Sequence, residues 1–274
     1  MLVYPNAKIN IGLDVVEKRP DGYHNIETVF YPIGLCDTLD IEPAVSCTDY
    51  SFSSAGIPID GDPENNLIIK AYRLLQSEYA LPAIDVSIVK QIPYGAGLGG
   101  GSSDAAFTLK ALNKIFELKI TTKKLEKIAS ELGADCPVFI KNKPVFASGI
   151  GNVFSPIKLS LKDYFLLLVK PDIHVSTPEA YSLVTPQMPE KSLKELICEP
   201  ITSWRNSIKN DFEKSVFSRY PEIETIKKQM YDAGALYASM SGSGSSVYGI
   251  FETPPYEKDV QIFDKYFMSG GFLK

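Results

Sequence analysis

Glycine fills five of the seven positions from 95 to 101 in Pro93-Tyr94-Gly95-Ala96-Gly97-Leu98-Gly99-Gly100-Gly101-Ser102-Ser103-Asp104-Ala105-Ala106. Such a stretch tolerates positive φ and close backbone approach, so several N–H groups can converge on one oxyanion. Helix-forming sequence follows at once and adds the positive end of its dipole. The expected chemistry is phosphate binding. A flexible linker would also be glycine-rich, but linkers are polar on both flanks and these flanks are apolar. Two further positions carry reactive groups. Lys8 interrupts the apolar run Pro5-Asn6-Ala7-Lys8-Ile9-Asn10-Ile11-Gly12-Leu13, and Asp135 sits in the turn Gly133-Ala134-Asp135-Cys136-Pro137-Val138-Phe139. Taken alone, an aspartate in a turn is a capping residue and a lysine in a strand snorkels from a sheet edge.

The loop lacks the lysine that G-x-x-x-x-G-K-[ST] requires after its last glycine, where it has Ser102 instead. Gly95, Gly97 and Gly100 satisfy G-x-G-x-x-G, a pattern shared by dinucleotide sites and by nucleotide loops of kinases. A dinucleotide unit needs a second strand ending in an acidic residue about 20 positions on. Glu117 stands near that distance, but at the end of the loop helix, and residues 122–132 again have helical periodicity. The dinucleotide reading therefore loses ground.

These groups need a scaffold, and the periodicity supplies one. Residues 84–92 alternate apolar and polar as a half-buried strand does, and Ala105, Ala106, Leu109 and Leu112 recur at helical spacing. Strand, glycine loop, helix is the expected order. Residues 3–16 and 26–41 are predicted strands around a turn at Pro20-Asp21-Gly22. Residues 66–79 place Leu67, Ile68, Ala71, Leu74 and Leu75 on one helical face, with a start signal in Asp62-Pro63-Glu64-Asn65. Residues 137–140 and 145–148 suggest a hairpin through Lys141-Asn142-Lys143-Pro144. A first domain is expected over 1–158 and a second over 159–274. The second holds a buried strand at 164–170, helices at 178–183 and 222–232, and strands at 235–240 and 247–251 around Ser241-Gly242-Ser243-Gly244-Ser245. Helices on one face of antiparallel sheet, an α+β class, fit this order.

At 274 residues, 45% hydrophobic and 22% charged, the composition is that of a globular chain with room for two domains. A net charge of −5 argues against a general nucleic-acid or membrane-surface binder and for a small substrate. Cys36, Cys47, Cys136 and Cys198 show neither C-x-x-C spacing nor a histidine cluster, so they are expected as free buried thiols. No basic segment with an apolar core opens the chain, and the densest apolar run, 164–169, is too short to span a bilayer. A cytoplasmic monomer or loose homodimer is expected.

Four signatures recur in a known order: Ala7-Lys8-Ile9-Asn10 with Arg19-Pro20-Asp21-Gly22-Tyr23-His24, the glycine loop, the Gly133 to Phe139 turn, and Met240-Ser241-Gly242-Ser243-Gly244. Together they resemble the GHMP kinase superfamily over almost the whole chain. Within it they are most similar to kinases acting on a cytidine-diphosphate-linked methylerythritol. The resemblance implies ATP-dependent phosphorylation of that substrate's 2-hydroxyl, on the non-mevalonate route to isoprenoid precursors. It implies the two-domain GHMP-kinase fold: an N-terminal ribosomal-protein-like α/β domain, a C-terminal ferredoxin-like α+β domain and an active site in the cleft between them.

The resemblance also carries roles. Asp135 would accept the hydroxyl proton and Lys8 would orient and polarise the hydroxyl, which suits a reaction needing alignment and charge neutralisation. ATP would lie on Pro93, Gly95, Gly97, Leu98, Gly99, Gly100, Gly101, Ser102 and Ser103, with Asn66 or its neighbour Asn65 near the adenine. Mg²⁺ would use Ser102 or Ser103 with water. Substrate would touch Asn10, Tyr23, His24, Tyr181, Gly242 and Ser243. In that picture Tyr23 stacks on the cytosine, His24 hydrogen-bonds its edge, and Tyr181 covers the other face. Tyr94 is bulkier than the family's loop has there. Plainer roles stand beside these: a helix cap for Asn66, a core tyrosine for Tyr181, a tight hairpin for residues 242–244. Another GHMP kinase acting on mevalonate, homoserine or a sugar, a dinucleotide oxidoreductase, and a noncatalytic binding module are the alternatives.

Overall fold

Strand Ile84–Lys90 turns Ile84, Val86 and Ile88 inward, as its alternation predicts, and hands the chain to the glycine loop and helix Gly100–Ile115. This is seen in a computed structural model that describes residues 1–45 and 49–274. Cys47, expected as a buried thiol, lies outside the described residues. The chain forms two compact units, each assembled from separate stretches: Met1–Ala7, Leu35–Tyr94 and Gly99–Lys143 in one, Lys8–Gly34, Gly95–Leu98 and Pro144–Lys274 in the other.

In the first unit the described strands lie in the order Leu2–Val3, Thr38–Pro43, Ile84–Lys90, Tyr50–Gly56. The last pair is parallel, with Phe52 opposite Val86, and the others are antiparallel. Helices Leu67–Tyr79, Gly100–Ile115 and Thr122–Leu132 belong to the same unit, and their inward faces carry Ile68, Ile69, Leu75, Leu109, Leu112 and Leu125. The second unit holds two sheets. One runs Asn6–Lys18, His24–Cys36, Val145–Ser148, Val153–Pro156; the other runs Tyr237–Met240, Val247–Phe251, Phe165–Lys170, Phe267–Phe272 and is antiparallel throughout. Its core joins Leu13 and Val15 to Leu167, Val169, Ile223 and Ile226, with helix Pro221–Asp232 supplying the last two.

Three expectations change. Residues 138–141 form a short helix, Val138–Lys141, instead of a strand. Pro137 precedes it with φ −62° and ψ −27°, already suited to a helix, and Val138, Phe139 and Ile140 are buried all round. A short apolar run buried on every side carries no period from which to tell helix from strand. Asn142 then caps that helix in the left-handed region at φ 53°, and the hairpin pairs Val145–Ser148 with Val153–Pro156. The strand expected over 26–41 breaks at Asp37, which separates His24–Cys36 from Thr38–Pro43. The carboxylate of Asp37 accepts Gln91 N at 2.6 Å and Ile92 N at 2.8 Å, so a buried polar anchor interrupts the apolar run. Finally, Cys136 is buried as expected, but Cys36 is only half-buried and Cys198 is exposed near a helix end.

Candidate active site

Gly95, Gly97 and Gly99 sit at φ of +58°, +72° and +68°, in strict alternation along the loop. Gly99 occupies the N-cap position of helix Gly100–Ile115, and no side chain caps that helix. Its first N–H groups are thus left for an anion. Gly97 admits no other residue, because a Cβ there would stand 1.9 Å from the Ser241 carbonyl oxygen.

Within the second unit, several predicted residues converge on that glycine. Lys8, only 4% exposed, donates from Nζ to Gly97 O at 3.0 Å and to Asn10 Oδ1 at 2.6 Å. Its strand is pinned to the loop by Lys8 N to Leu98 O at 3.0 Å. Ser241 Oγ donates to Gly97 O at 2.8 Å and accepts Asn10 N at 3.2 Å. Asn10 is fixed further, since its Nδ2 donates to Thr28 Oγ1 at 3.0 Å and its carbonyl accepts the Tyr248 hydroxyl at 2.8 Å. Gly242 packs against the same side chain: its Cβ would lie 3.1 Å from Asn10 Oδ1. Asn210 Nδ2 holds the turn from behind by donating to Met240 O and Gly242 O, both at 2.9 Å. A buried ammonium, itself hydrogen-bonded on rigid backbone, is suited to orienting an oxygen nucleophile. The turn is the tight hairpin expected of residues 242–244, closed by Gly244 N to Ser241 O at 2.9 Å.

The aromatic residues are arranged differently from the sandwich expected. His24 stacks directly on Tyr181, with ring centroids 4.6 Å apart and planes 21° from parallel. Tyr181 also meets Phe212 edge-on at 4.6 Å and packs against the core. Tyr23 points into solvent, 63% exposed. Ser176 starts the Tyr181 helix with a capping box to Glu179.

The first unit contains Asn66, Ser102, Ser103 and Asp135, whereas Leu98 and Ser243 belong to the second. A pocket of about 490 Å³ is lined by Asn65, Asn66, Leu67, Tyr94, Gly101 and Asp104 among others. Asn66 also caps helix Leu67–Tyr79, its Oδ1 accepting Ile68 N at 2.9 Å. Asp104 is 4% exposed, and its Oδ1 is buried without a hydrogen-bond partner. Its other oxygen takes Lys90 Nζ at 2.8 Å, and Lys90 also binds Asp37. Burial pushes the Asp104 carboxyl up to about 7 despite the attraction of Lys90. A Cβ on Gly100 would stand 3.1 Å from Lys90 Nζ, so this ammonium lies beneath the loop helix.

Asp135 opens the turn whose carbonyl accepts Val138 N at 3.2 Å. Its neighbour Cys136 is hydrogen-bonded by Ser102, while burial holds the thiol up at about 11. Ser103 is wholly buried with an unpartnered Oγ. The groups present fit a magnesium nucleotide: a helix start with no side-chain cap, a pocket of about 490 Å³ beside it, and serine hydroxyls for an ion that phosphates and water mostly coordinate. Among the described residues no cluster of three His, Cys, Asp or Glu side chains could hold a metal without such a ligand. No helix of the described residues is long and apolar enough to cross a membrane.

Several supporting residues escaped sequence reasoning. Lys90, Asp37 and Asp104 carried a signal, being charges inside apolar segments. Asn210, Thr28 and Tyr248 carried none, because only the fold brings them to Asn10 and the turn.

The model of the GHMP kinases N terminal domain matches residues 66–143, and that of the GHMP kinases C terminal matches residues 191–261. The chain is 56% identical over 273 residues to a 4-diphosphocytidyl-2-C-methyl-D-erythritol kinase of Parabacteroides distasonis, covering 100% of each. It is 58% identical over 259 residues to the kinase of the same name from Bacteroides fragilis, covering 94% of each. A crystal structure of 4-(cytidine 5'-diphospho)-2C-methyl-D-erythritol kinase superposes with a TM-score of 0.83 at 30% identity, over 100% of this chain and 99% of the other. With relatives of that identity along its length, the chain belongs to the 4-diphosphocytidyl-2-C-methyl-D-erythritol kinases, within the GHMP kinases.

Proposed function

We propose that this chain transfers the γ-phosphoryl group of Mg-ATP to the 2-hydroxyl of 4-diphosphocytidyl-2-C-methyl-D-erythritol, giving the 2-phosphate and ADP. The observation that carries the reading is the buried Lys8 ammonium held on the carbonyl of the phosphate loop, beside Asn10 and the Gly242 turn. In this reading Lys8 orients the attacking hydroxyl and stabilises the charge it develops, and the Asp135 carboxylate accepts the hydroxyl proton. The loop amides and the start of helix Gly100–Ile115 hold the triphosphate, and Asn66 and Asp104 border the adenine. Magnesium, when bound, neutralises the phosphate oxygens, with Ser102 or Ser103 as its protein contact. His24 and Tyr181 form the wall for the cytosine, and Tyr23 supplies a second ring once it moves in from solvent. The enzyme is expected to act in the cytoplasm, as a monomer or loose homodimer, without nucleic acid or membrane.

ADP release from Mg-ATP tests the reading directly, with the cytidine compound, mevalonate and homoserine run in parallel. Turnover with the cytidine compound alone is the expected result. Turnover only with another alcohol removes the substrate assignment and leaves a GHMP kinase. Silence with all three removes the kinase reading.

A further inference from the structure

His174 has no role in the reading above. It lies four residues beyond strand Phe165–Lys170 and three before helix Thr177–Tyr181, and it is exposed. Its ring nevertheless has a defined place. A Cβ built on Gly95 would meet His174 Nδ1 at 2.6 Å and Cε1 at 2.8 Å. One edge of the imidazole therefore covers Gly95 of the phosphate loop, and Nε2 is the farther nitrogen. The surrounding backbone is pinned to the same region: Ser245 Oγ donates to Ile173 O at 2.6 Å and Ser246 N to Ala96 O at 3.4 Å.

Seven positions later the same segment delivers Tyr181 onto His24, through a helix start locked by Ser176 and Glu179. One short stretch thus carries an aromatic pair at one end and, at the other, an imidazole set on glycine backbone that seeks anions. A ligand that presents a flat base and a phosphate chain together matches both ends. A free anion would need only one of them.

We infer that His174 is a substrate-binding residue whose Nε2 donates to the diphosphate of the cytidine substrate. The inference rests on the kinase reading above. A phosphoryl oxygen of ATP has the same chemistry, but the continuity of this segment with Tyr181 selects the substrate's diphosphate.

The test uses the full chain, wild type and carrying His174→Ala or His174→Gln. It measures KM for the cytidine substrate, KM for ATP, and competitive inhibition by CDP and by cytidine. His174→Ala raises the substrate KM and the CDP inhibition constant about tenfold, the effect of one hydrogen bond to a charged group. The ATP KM, kcat and the cytidine constant stay within about twofold. His174→Gln, whose amide nitrogen reaches the position of Nε2, recovers most of the loss. An unchanged CDP constant, an equal loss for cytidine and CDP, or a rise confined to the ATP KM each overturns the proposal. Wild-type turnover with unaltered variants refutes His174 alone, whereas a wild-type chain inert toward the cytidine substrate removes the kinase reading and this inference with it.

Discussion

Replacing Lys90 with methionine isolates the buried ion cluster beneath the start of helix Gly100–Ile115. Lys90 is 1% exposed, Asp37 0% and Asp104 4%, so water screens none of the three charges. Lysine is almost never so fully buried unless paired, and here it has two carboxylate partners. Methionine keeps most of the stem and removes the charge. Asp37 then retains its two backbone donors, Gln91 N and Ile92 N. Asp104 loses its Lys90 hydrogen bond, and its Oδ1 already has no partner, so the loss falls on Asp104. Breaking a buried pair from one side costs about 3–5 kcal/mol, set against a total stability of about 5–15 kcal/mol. The Asp104 carboxyl relieves part of this by taking up a proton. Burial already holds it up at about 7, above its unfolded value, so the folded state binds a proton that the unfolded chain has released. This contribution to stability falls as pH rises between about 4 and 7, and removing Lys90 extends the fall to higher pH. Urea unfolding followed by far-ultraviolet circular dichroism at pH 8 and pH 5 therefore gives a loss of about 3–5 kcal/mol at pH 8 and a smaller one at pH 5. A loss below about 1 kcal/mol at pH 8 with an unchanged m-value refutes the reasoning. So does an equal loss at both pH values.

Asp135→Asn and Lys8→Ala are each expected to lower kcat at least about 100-fold, the usual worth of a positioned acid or base, while ATP binding measured by calorimetry stays within a few-fold; near-normal turnover in either removes its role. His24→Ala takes away the ring stacked on Tyr181. Stacking on a base is worth about 1–3 kcal/mol, so the substrate KM should rise about 5-fold or more and the ATP KM should not; a rise in the ATP KM alone places the cytidine wall elsewhere. Asp14, 5% exposed, has its carboxyl pushed up to about 6, first by burial and then by the charge of Asp211. Its folded pKa exceeds the unfolded one, so stability is lost as pH rises from about 4 to 6. Asp14→Asn should gain about 2 kcal/mol at pH 8 and almost nothing at pH 4, read from denaturation midpoints; a gain independent of pH points to packing instead.

Much of the scaffold was legible because its local signals agree with its tertiary setting. Ile84–Lys90 alternates in the sequence and in the sheet, and Val247–Phe251 has the expected bounds, fully buried. Strand Tyr50–Gly56, in contrast, contains Ser51, Ser53 and Ser54 and little apolar periodicity. Its place comes from parallel pairing with Ile84–Lys90 at the sheet edge, a long-range cause that leaves no local pattern. The Val138–Lys141 helix and the break at Asp37 have the same origin: burial on all sides in one, a side chain anchored on distant backbone in the other. At the site, the glycine loop was plain because its constraint is on its own backbone. The stacking of His24 on Tyr181 was not, because rotamers of two residues far apart in sequence decide it.

The Gly97 carbonyl ties together signatures scattered along the chain. It accepts hydrogen bonds from Lys8 Nζ, 89 positions away, and from Ser241 Oγ, 144 positions away. Ser241 in turn receives Asn10 N, and Asn10 Oδ1 receives Lys8 Nζ, closing a ring of bonds through one backbone atom. No member can be exchanged alone. A side chain at residue 97 collides with the Ser241 carbonyl at 1.9 Å. Alanine at 241 leaves the buried Asn10 N–H unpaired, and such a group costs about 1–3 kcal/mol. The lysine, the asparagine, the glycine and the serine are therefore one device, which sets an ammonium on the loop expected to hold the triphosphate. Its fixed geometry is what phosphoryl transfer asks of a protein, because alignment and preorganised charge supply most of the rate.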